Sequence, residues 1–298
     1  MGGDSLAGRV AVVSGAGKGL GREFAIALAR AGAAVVVNNR NRTVDPDGRG
    51  PADHVVEEIT TAGGRAVADY SDVRSPGAGR AIVERALCEW GRLDVCVANA
   101  GINRPAMFHR QSEEDFEEVI SVNLIGASCL TRAAMAVMRR AGYGRIVMVA
   151  STGGLHGLIG ESAYAASKGA LIALGRTMAA EGLARGVLTN IVLPYALTQM
   201  TEQGVETMEY RAVMSAASVA PVVVALAGPC CRLNGESIVV GGGRLRRASA
   251  VEWGVVELED GVDDPGRLAE LVERSRAGGP SEFPHALAAF EELMGARR

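Results

Sequence analysis

Residues 9–31 read RVAVVSGAGKGLGREFAIALARA. The first six, RVAVVS, form a short β-branched run with the composition of a buried strand. Glycines then fall at 15, 17, 19 and 21, and from Phe24 to Ala31 the apolar residues recur at helical spacing. A strand, a glycine turn and a helix in this order define the entrance of a βαβ unit. Glycine lets backbone approach a pyrophosphate closely, and the helix N-terminus offers unpaired N–H groups and positive potential. The turn therefore reads as a phosphate cradle for a dinucleotide, with Gly15, Gly19, Leu20 and Gly21 as its contacts. Its spacing is G-x-x-x-G-x-G rather than G-x-G-x-x-G.

A second strand follows at Ala33 to Asn38 (AAVVVN). The residues just past such a strand face the adenosine ribose, where an acid suits NAD and a base suits a 2′-phosphate. Here the run is Asn38-Asn39-Arg40-Asn41-Arg42, with no carboxylate before Asp45, and Lys18 sits inside the glycine turn. Lys18 and Arg40 thus favour NADP(H), with NAD(H) the alternative. Further along, strands at 65–70, Leu93 to Ala98, 144–150, Val187 to Leu193 and Ser237 to Val240 alternate with helical segments. Alternation of this kind gives right-handed crossovers and one parallel sheet. The longest helix is expected from Ser112 to Ala141, with Asn123 inside it, an amide that needs partners if buried.

The fifth strand delivers Ser151 at its C-terminal end, where ligands bind in open parallel sheets. Thirteen residues on stands Tyr164, and four further Lys168. Positions i and i+4 of a helix share a face about 5–6 Å apart. A phenol titrates near about 10 in water, and a cation held beside it favours the phenolate. A phenol so tuned exchanges a proton with an alcohol oxygen near neutral pH.

The net charge of −3 gives no electrostatic case for a nucleic-acid or membrane partner. The five cysteines (88, 96, 129, 230, 231) lack metal-ligand spacing, and no metal site is expected. Cys96 and Cys129 lie in apolar runs and read as buried, reduced thiols. No continuous apolar run reaches the ~18 residues of a membrane span, and the N-terminus lacks a signal-like apolar region. The expectation is a cytoplasmic protein.

Taken together, Ser14-Gly15-x-x-x-Gly19-x-Gly21, Asp72-Val73, Asn99-Ala100-Gly101, Asn123, Ser151 and Tyr164-x-x-x-Lys168 resemble a classical short-chain dehydrogenase/reductase. The resemblance implies a Rossmann-like, doubly wound, seven-stranded parallel α/β sheet with helices on both faces, and usually a homodimer or homotetramer. It implies Tyr164 as general acid/base, with Lys168 lowering its pKa and holding the nicotinamide ribose. Ser151 would bond the substrate oxygen, and Asn123 would place a water leading to Lys168. Asp72 and Val73 would bracket the adenine, with Asn99 and Gly101 beside the cofactor.

Two features depart from the family pattern. Pro194-Tyr195 replaces the usual Pro-Gly, and Thr198, the expected cofactor contact, comes four residues past the proline. The chain also runs about fifty residues beyond Arg244. These traits, with the VVVNN strand and the loop at 43–51, resemble the (R)-3-hydroxyacyl-CoA dehydrogenase domain of the β-oxidation multifunctional enzyme. That branch carries an aspartate where Asn39 stands and no lysine in the glycine turn. The expected organisation is a dehydrogenase domain over 1–248 and a C-terminal extension over 249–298 packed on it.

The expected activity is NADP-dependent ketoreduction of a small carbonyl substrate, a 3-oxoacyl thioester or polyketide-like ketone. An NAD-dependent 3-hydroxyacyl-CoA or small-alcohol dehydrogenase is the alternative, and a non-catalytic dinucleotide-binding protein a remote one.

Overall fold

The computed structural model describes residues 5–40, 44–196, 214–258 and 263–295. The chain divides into two compact units, Met1–Arg247 and Ala248–Arg298.

In the first unit the opening stretch forms β1 (Val10–Ser14), buried along its whole length, and α1 (Gly19–Arg30). The helix starts five residues before Phe24, because Gly19 already takes the first helical position. Next come β2 (Ala34–Asn38), α2 (Pro51–Thr61), β3 (Arg65–Asp69) and α3 (Ala78–Trp90). After them β4 (Val95–Ala98), β5 (Gly144–Val149), β6 (Val187–Pro194) and β7 (Ser237–Gly241) complete the parallel set. Near-continuous burial of β1, β2, β4 and β5 fits a sheet covered on both faces.

Strand order is β3-β2-β1-β4-β5-β6-β7-β8, with parallel pairing from β3 through β7. The order reverses between β1 and β4, and the crevice outside that point is where such sheets bind ligands. The eighth strand, β8 (Arg244–Ala248), corrects the expected seven. Gly242 and Gly243, at φ 56° and 71°, make the two-residue turn that folds it back on β7. Its sequence, RLRRA, lacks an apolar run because an exposed edge strand needs none, and charge there blocks further pairing.

The single long helix expected over 112–141 is interrupted. It consists of α4 (Glu113–Ile120), a π-helical turn (Ser121–Gly126) and α5 (Ala127–Ala141). Ser112 caps its start by accepting the Asp115 N–H at 3.1 Å. Glu113–Ala141 is long and apolar enough by composition to cross a membrane, yet half of its most apolar window is buried inside the fold, as in a core helix. Cys96 is buried, which pushes its thiol up to about 12, whereas Cys129 is only half-buried.

The second unit carries helices Pro265–Ala277 and Ala286–Leu293. Asp264 and His285 cap them, accepting from Arg267 N at 2.9 Å and Ala288 N at 3.2 Å. Trp253, Val255, Leu268, Leu271, Phe283 and Leu293 help line an apolar cavity of about 430 Å³ within it.

Candidate active site

The glycine turn closes on the exit of β4. Gly15 has φ 65°, and a Cβ there would lie 2.8 Å from the Ala100 Cα. A Cβ on Gly21 would meet the Gly15 carbonyl oxygen and come within 2.5 Å of Asn99 Nδ2. Both positions therefore require glycine. Gly17, which the sequence reading left without a role, is as tight: its Cβ would lie 2.7 Å from Asn39 Cγ and Pro51 Cβ. Asn99 Nδ2 donates to the carbonyls of Ser14 (3.0 Å) and Gly15 (3.2 Å). In return, Ser14 Oγ accepts the backbone N–H groups of Asn99 and Ala100, each at 3.1 Å. Asn99 thus holds the turn in shape from behind. Lys18 stands at the N-cap of α1, and its own side chain makes no capping bond to the first N–H groups. Those groups fit a phosphate.

Between this turn and the end of β2 lies a cleft of about 350 Å³. Gly15, Lys18, Arg40, Asp72, Val73 and Gly101 line it, six of the residues the sequence singled out for a cofactor. Asn38, Asn39, Ser71 and Ile102 join them; the sequence reading gave the last two no site role. The donors, glycines and helix terminus present fit a dinucleotide. Arg40 spans the cleft wall to Asp72, Nη1 to Oδ2 at 3.2 Å. Asp72 also takes Arg74 Nη2 at 2.8 Å. The Arg74 guanidinium holds the Asp72 carboxyl well below the usual range, partial burial opposes it, and Arg40 adds to the lowering. Thr198 lies outside the described residues.

At the other end, Ser151 follows β5, and Tyr164 and Lys168 sit on α7 (Ser162–Leu183), past the short helix α6 (Gly153–His156). Lys168 is 4% exposed, and Nζ donates to the Val149 carbonyl at 2.8 Å. The same Nζ lies 5.6 Å from the centre of the Tyr164 ring. Burial pulls Lys168 down to about 8. Burial also pushes the Tyr164 phenol up, and the bond with the Ser151 side chain pulls the other way. Burial is the larger influence on the phenol, and Ser151 opposes it. The lysine ammonium is turned to a carbonyl and is itself driven toward neutrality.

Asn123 is fully buried in the π-helical turn, and its amide makes three hydrogen bonds to two residues. Oδ1 accepts Ile102 N at 2.8 Å, while Nδ2 donates to Ile102 O and Ser167 Oγ, both at 3.0 Å. Ser167 Oγ in turn donates to the Tyr164 carbonyl at 2.7 Å. A Cβ on Gly101 would lie 3.3 Å from Asn123 Oδ1 and 3.6 Å from Lys168 Nζ, so the bare glycine keeps these two groups in reach of one space. Among the described residues no His, Cys, Asp or Glu cluster is arranged for a metal.

The doubly wound fold, with a glycine turn that fits a dinucleotide, is that of a dehydrogenase. The short chain dehydrogenase family matches residues 9–209, and the chain belongs to that family of oxidoreductases, which act on CH–OH and C=O groups. It is 40% identical over 260 residues to the peroxisomal multifunctional enzyme type 2 of Drosophila melanogaster, covering 87% of this chain and 43% of that protein. The chain therefore spans less than half of that relative. Its fold superposes on a short chain dehydrogenase of Mycobacterium avium with a TM-score of 0.80 at 35% identity, covering 94% of this chain and 98% of that one. The full-length Drosophila enzyme gives 0.79 at 33% identity, covering 97% of this chain and 49% of that one.

Proposed function

We propose that this protein is an NADP-dependent ketoreductase, reducing a 3-oxoacyl thioester or polyketide-like ketone to the secondary alcohol. The observation that carries the reaction is Tyr164 beside Ser151, with buried Lys168 beneath the ring. When bound, a reduced nicotinamide supplies the hydride for the carbonyl carbon. Ser151 donates a hydrogen bond to the carbonyl oxygen and holds it near the phenol. Tyr164 gives its proton to that oxygen as the negative charge develops, and Lys168, while protonated, stabilises the phenolate left behind. Burial keeps the phenol protonated at neutral pH, which suits the reductive direction.

The cofactor choice rests on Lys18 and Arg40 in the cleft and on Asn39 where an acid would repel a 2′-phosphate. One observation favours a second reading, NAD-linked oxidation of a 3-hydroxyacyl thioester. Arg40 is already engaged by Asp72, and relatives include a Saccharomyces cerevisiae protein named peroxisomal hydratase-dehydrogenase-epimerase, 43% identical over 200 residues. Steady-state assays with a 3-oxoacyl thioester and a simple ketone, each with NADPH and NADH, separate the two. Faster turnover with NADPH on the thioester supports the proposal. Preference for NADH on that substrate overturns the cofactor assignment.

A further inference from the structure

Tyr164 is the third residue of α7, in the turn of a helix that frays most readily. Glu161, at the N-cap, makes no side-chain cap, so helical capping does not hold the reacting residue still. The segment between β4 and α4 holds it instead. Ala106 N donates to the Gly160 carbonyl at 2.8 Å, and Ala106 bridges Glu161. Gln111 then adds a side-chain bond onto the helix start from this segment: its Oε1 accepts Ser162 Oγ at 2.8 Å. Its Nε2 donates to the Arg104 carbonyl at 3.0 Å. Arg104 is itself fixed, Nη2 to Glu118 Oε2 at 2.8 Å, and Glu118 also meets Arg74 at 3.3 Å.

We infer that Gln111 is a positioning residue for Tyr164, clamping the first turn of α7 through Ser162 to the segment whose other end, Ala100 to Ile102, lines the dinucleotide cleft. The clamp has both polarities. The amide oxygen takes the helix-start hydroxyl while the amide nitrogen pins the segment, which neither a carboxylate nor an apolar side chain of similar length reproduces. Gln111 and Ser162 touch no reacting atom. Their effect comes through where the phenol stands relative to Ser151, and a displacement of about 1 Å at a reacting group costs on the order of a hundredfold. The inference rests on the proposed role of Tyr164 as proton donor.

The test compares Gln111→Met, Ser162→Ala and Ser162→Thr with the parent enzyme. It measures kcat and KM against pH for the best carbonyl substrate, together with NADPH affinity by fluorescence titration. Gln111→Met and Ser162→Ala are expected to lower kcat about ten- to a hundredfold. NADPH affinity should stay within about twofold, and the limb of the pH profile set by the phenol should move. Ser162→Thr, which keeps the hydroxyl, is expected to restore kcat. Unchanged kcat and pH profile in both clamp variants would overturn the inference, whatever happens to thermal stability, and so would a Ser162→Thr variant as slow as Ser162→Ala. A Tyr164→Phe control run alongside keeps the two ideas apart: if it retains turnover, the role of Tyr164 fails first.

Discussion

Lys18 and Lys168 stand at the two ends of the proposed site in opposite surroundings. Lys18 is exposed at the entrance of α1, among backbone N–H groups and bare glycines, while Lys168 is buried beneath Tyr164 with its ammonium on the Val149 carbonyl. The end proposed for the dinucleotide is made mostly of backbone shape, with solvent-screened charge at its rim. The reacting end is made of side chains, partly buried at Ser151 and Tyr164 and buried at Lys168, where a charge acts strongly and costs stability. Changes at the reacting end should therefore be large and pH-dependent. Changes at the rim should be modest and selective for one cofactor.

The largest effect is expected from Tyr164→Phe. Removing the phenolic hydroxyl takes away the proton donor and leaves the cleft walls untouched, so kcat should fall by roughly 10²- to 10⁴-fold. Dinucleotide affinity, read by fluorescence titration, should hardly change. Turnover within a few fold of the parent would end the assignment of Tyr164.

Next comes the stability cost of Lys168. Burial draws its pKa from 10.5 to about 8 in the folded protein, so between those values the unfolded chain binds more protons. The native state's stability from this group then rises with pH across that window, and below about pH 8 the full burial penalty is present. Lys168→Met should lose activity yet unfold at a higher temperature than the parent at pH 7, by an amount on the order of 1–3 kcal/mol. That advantage should shrink as pH approaches 10. Paired melting curves from pH 6 to 10 check it, and a gap that stays constant with pH refutes the buried-charge account.

Gly21→Ala probes the backbone end. The new methyl would press on the Gly15 carbonyl, in the turn, and on Asn99 Nδ2, which braces it. Overpacking of this kind costs about 1–3 kcal/mol. It should appear as a lower melting temperature and a weaker dinucleotide affinity, because the turn and the Asn99 brace move together. Gly63→Ala is a useful control for strain without contact, since φ is 84° there and nothing lies within 4 Å of its Cβ. It should spare dinucleotide binding.

The contrast between the two ends also explains what was legible in the sequence. Gly15 and Gly21 are readable because a tight turn between a strand and a helix leaves few alternatives to glycine. Tyr164 and Lys168 are readable because four residues on a helix fix a shared face. The π-helical turn around Asn123 is not, since one extra residue in a turn leaves the apolar periodicity nearly unchanged. Nor is the direction of the Lys168 ammonium, which depends on the Val149 carbonyl of a strand 19 residues away in sequence. Gln111 carried no signal either: its meaning comes from Ser162, 51 residues on. β8 was missed because an edge strand of arginines shows neither alternation nor an apolar run.

The smallest expected effect is the most selective. Arg40 is bound to Asp72 at 3.2 Å, a partly exposed pair of the kind worth little to stability. Removing it by Arg40→Ala leaves Asp72 with the guanidinium of Arg74, the first cause of its lowered pKa, so the carboxylate stays charged and paired. Melting temperature should barely move. If Arg40 swings from Asp72 to a 2′-phosphate, the variant loses one guanidinium contact with NADPH and none with NADH. KM for NADPH should then rise about tenfold, the scale of one charge-assisted contact, with KM for NADH within twofold of the parent. The loss should diminish at high salt, because the contact lies near solvent. If Arg40 instead stays with Asp72 when the cofactor binds, both cofactors should respond equally, and the preference for NADP would then have to rest on Lys18 and Asn39.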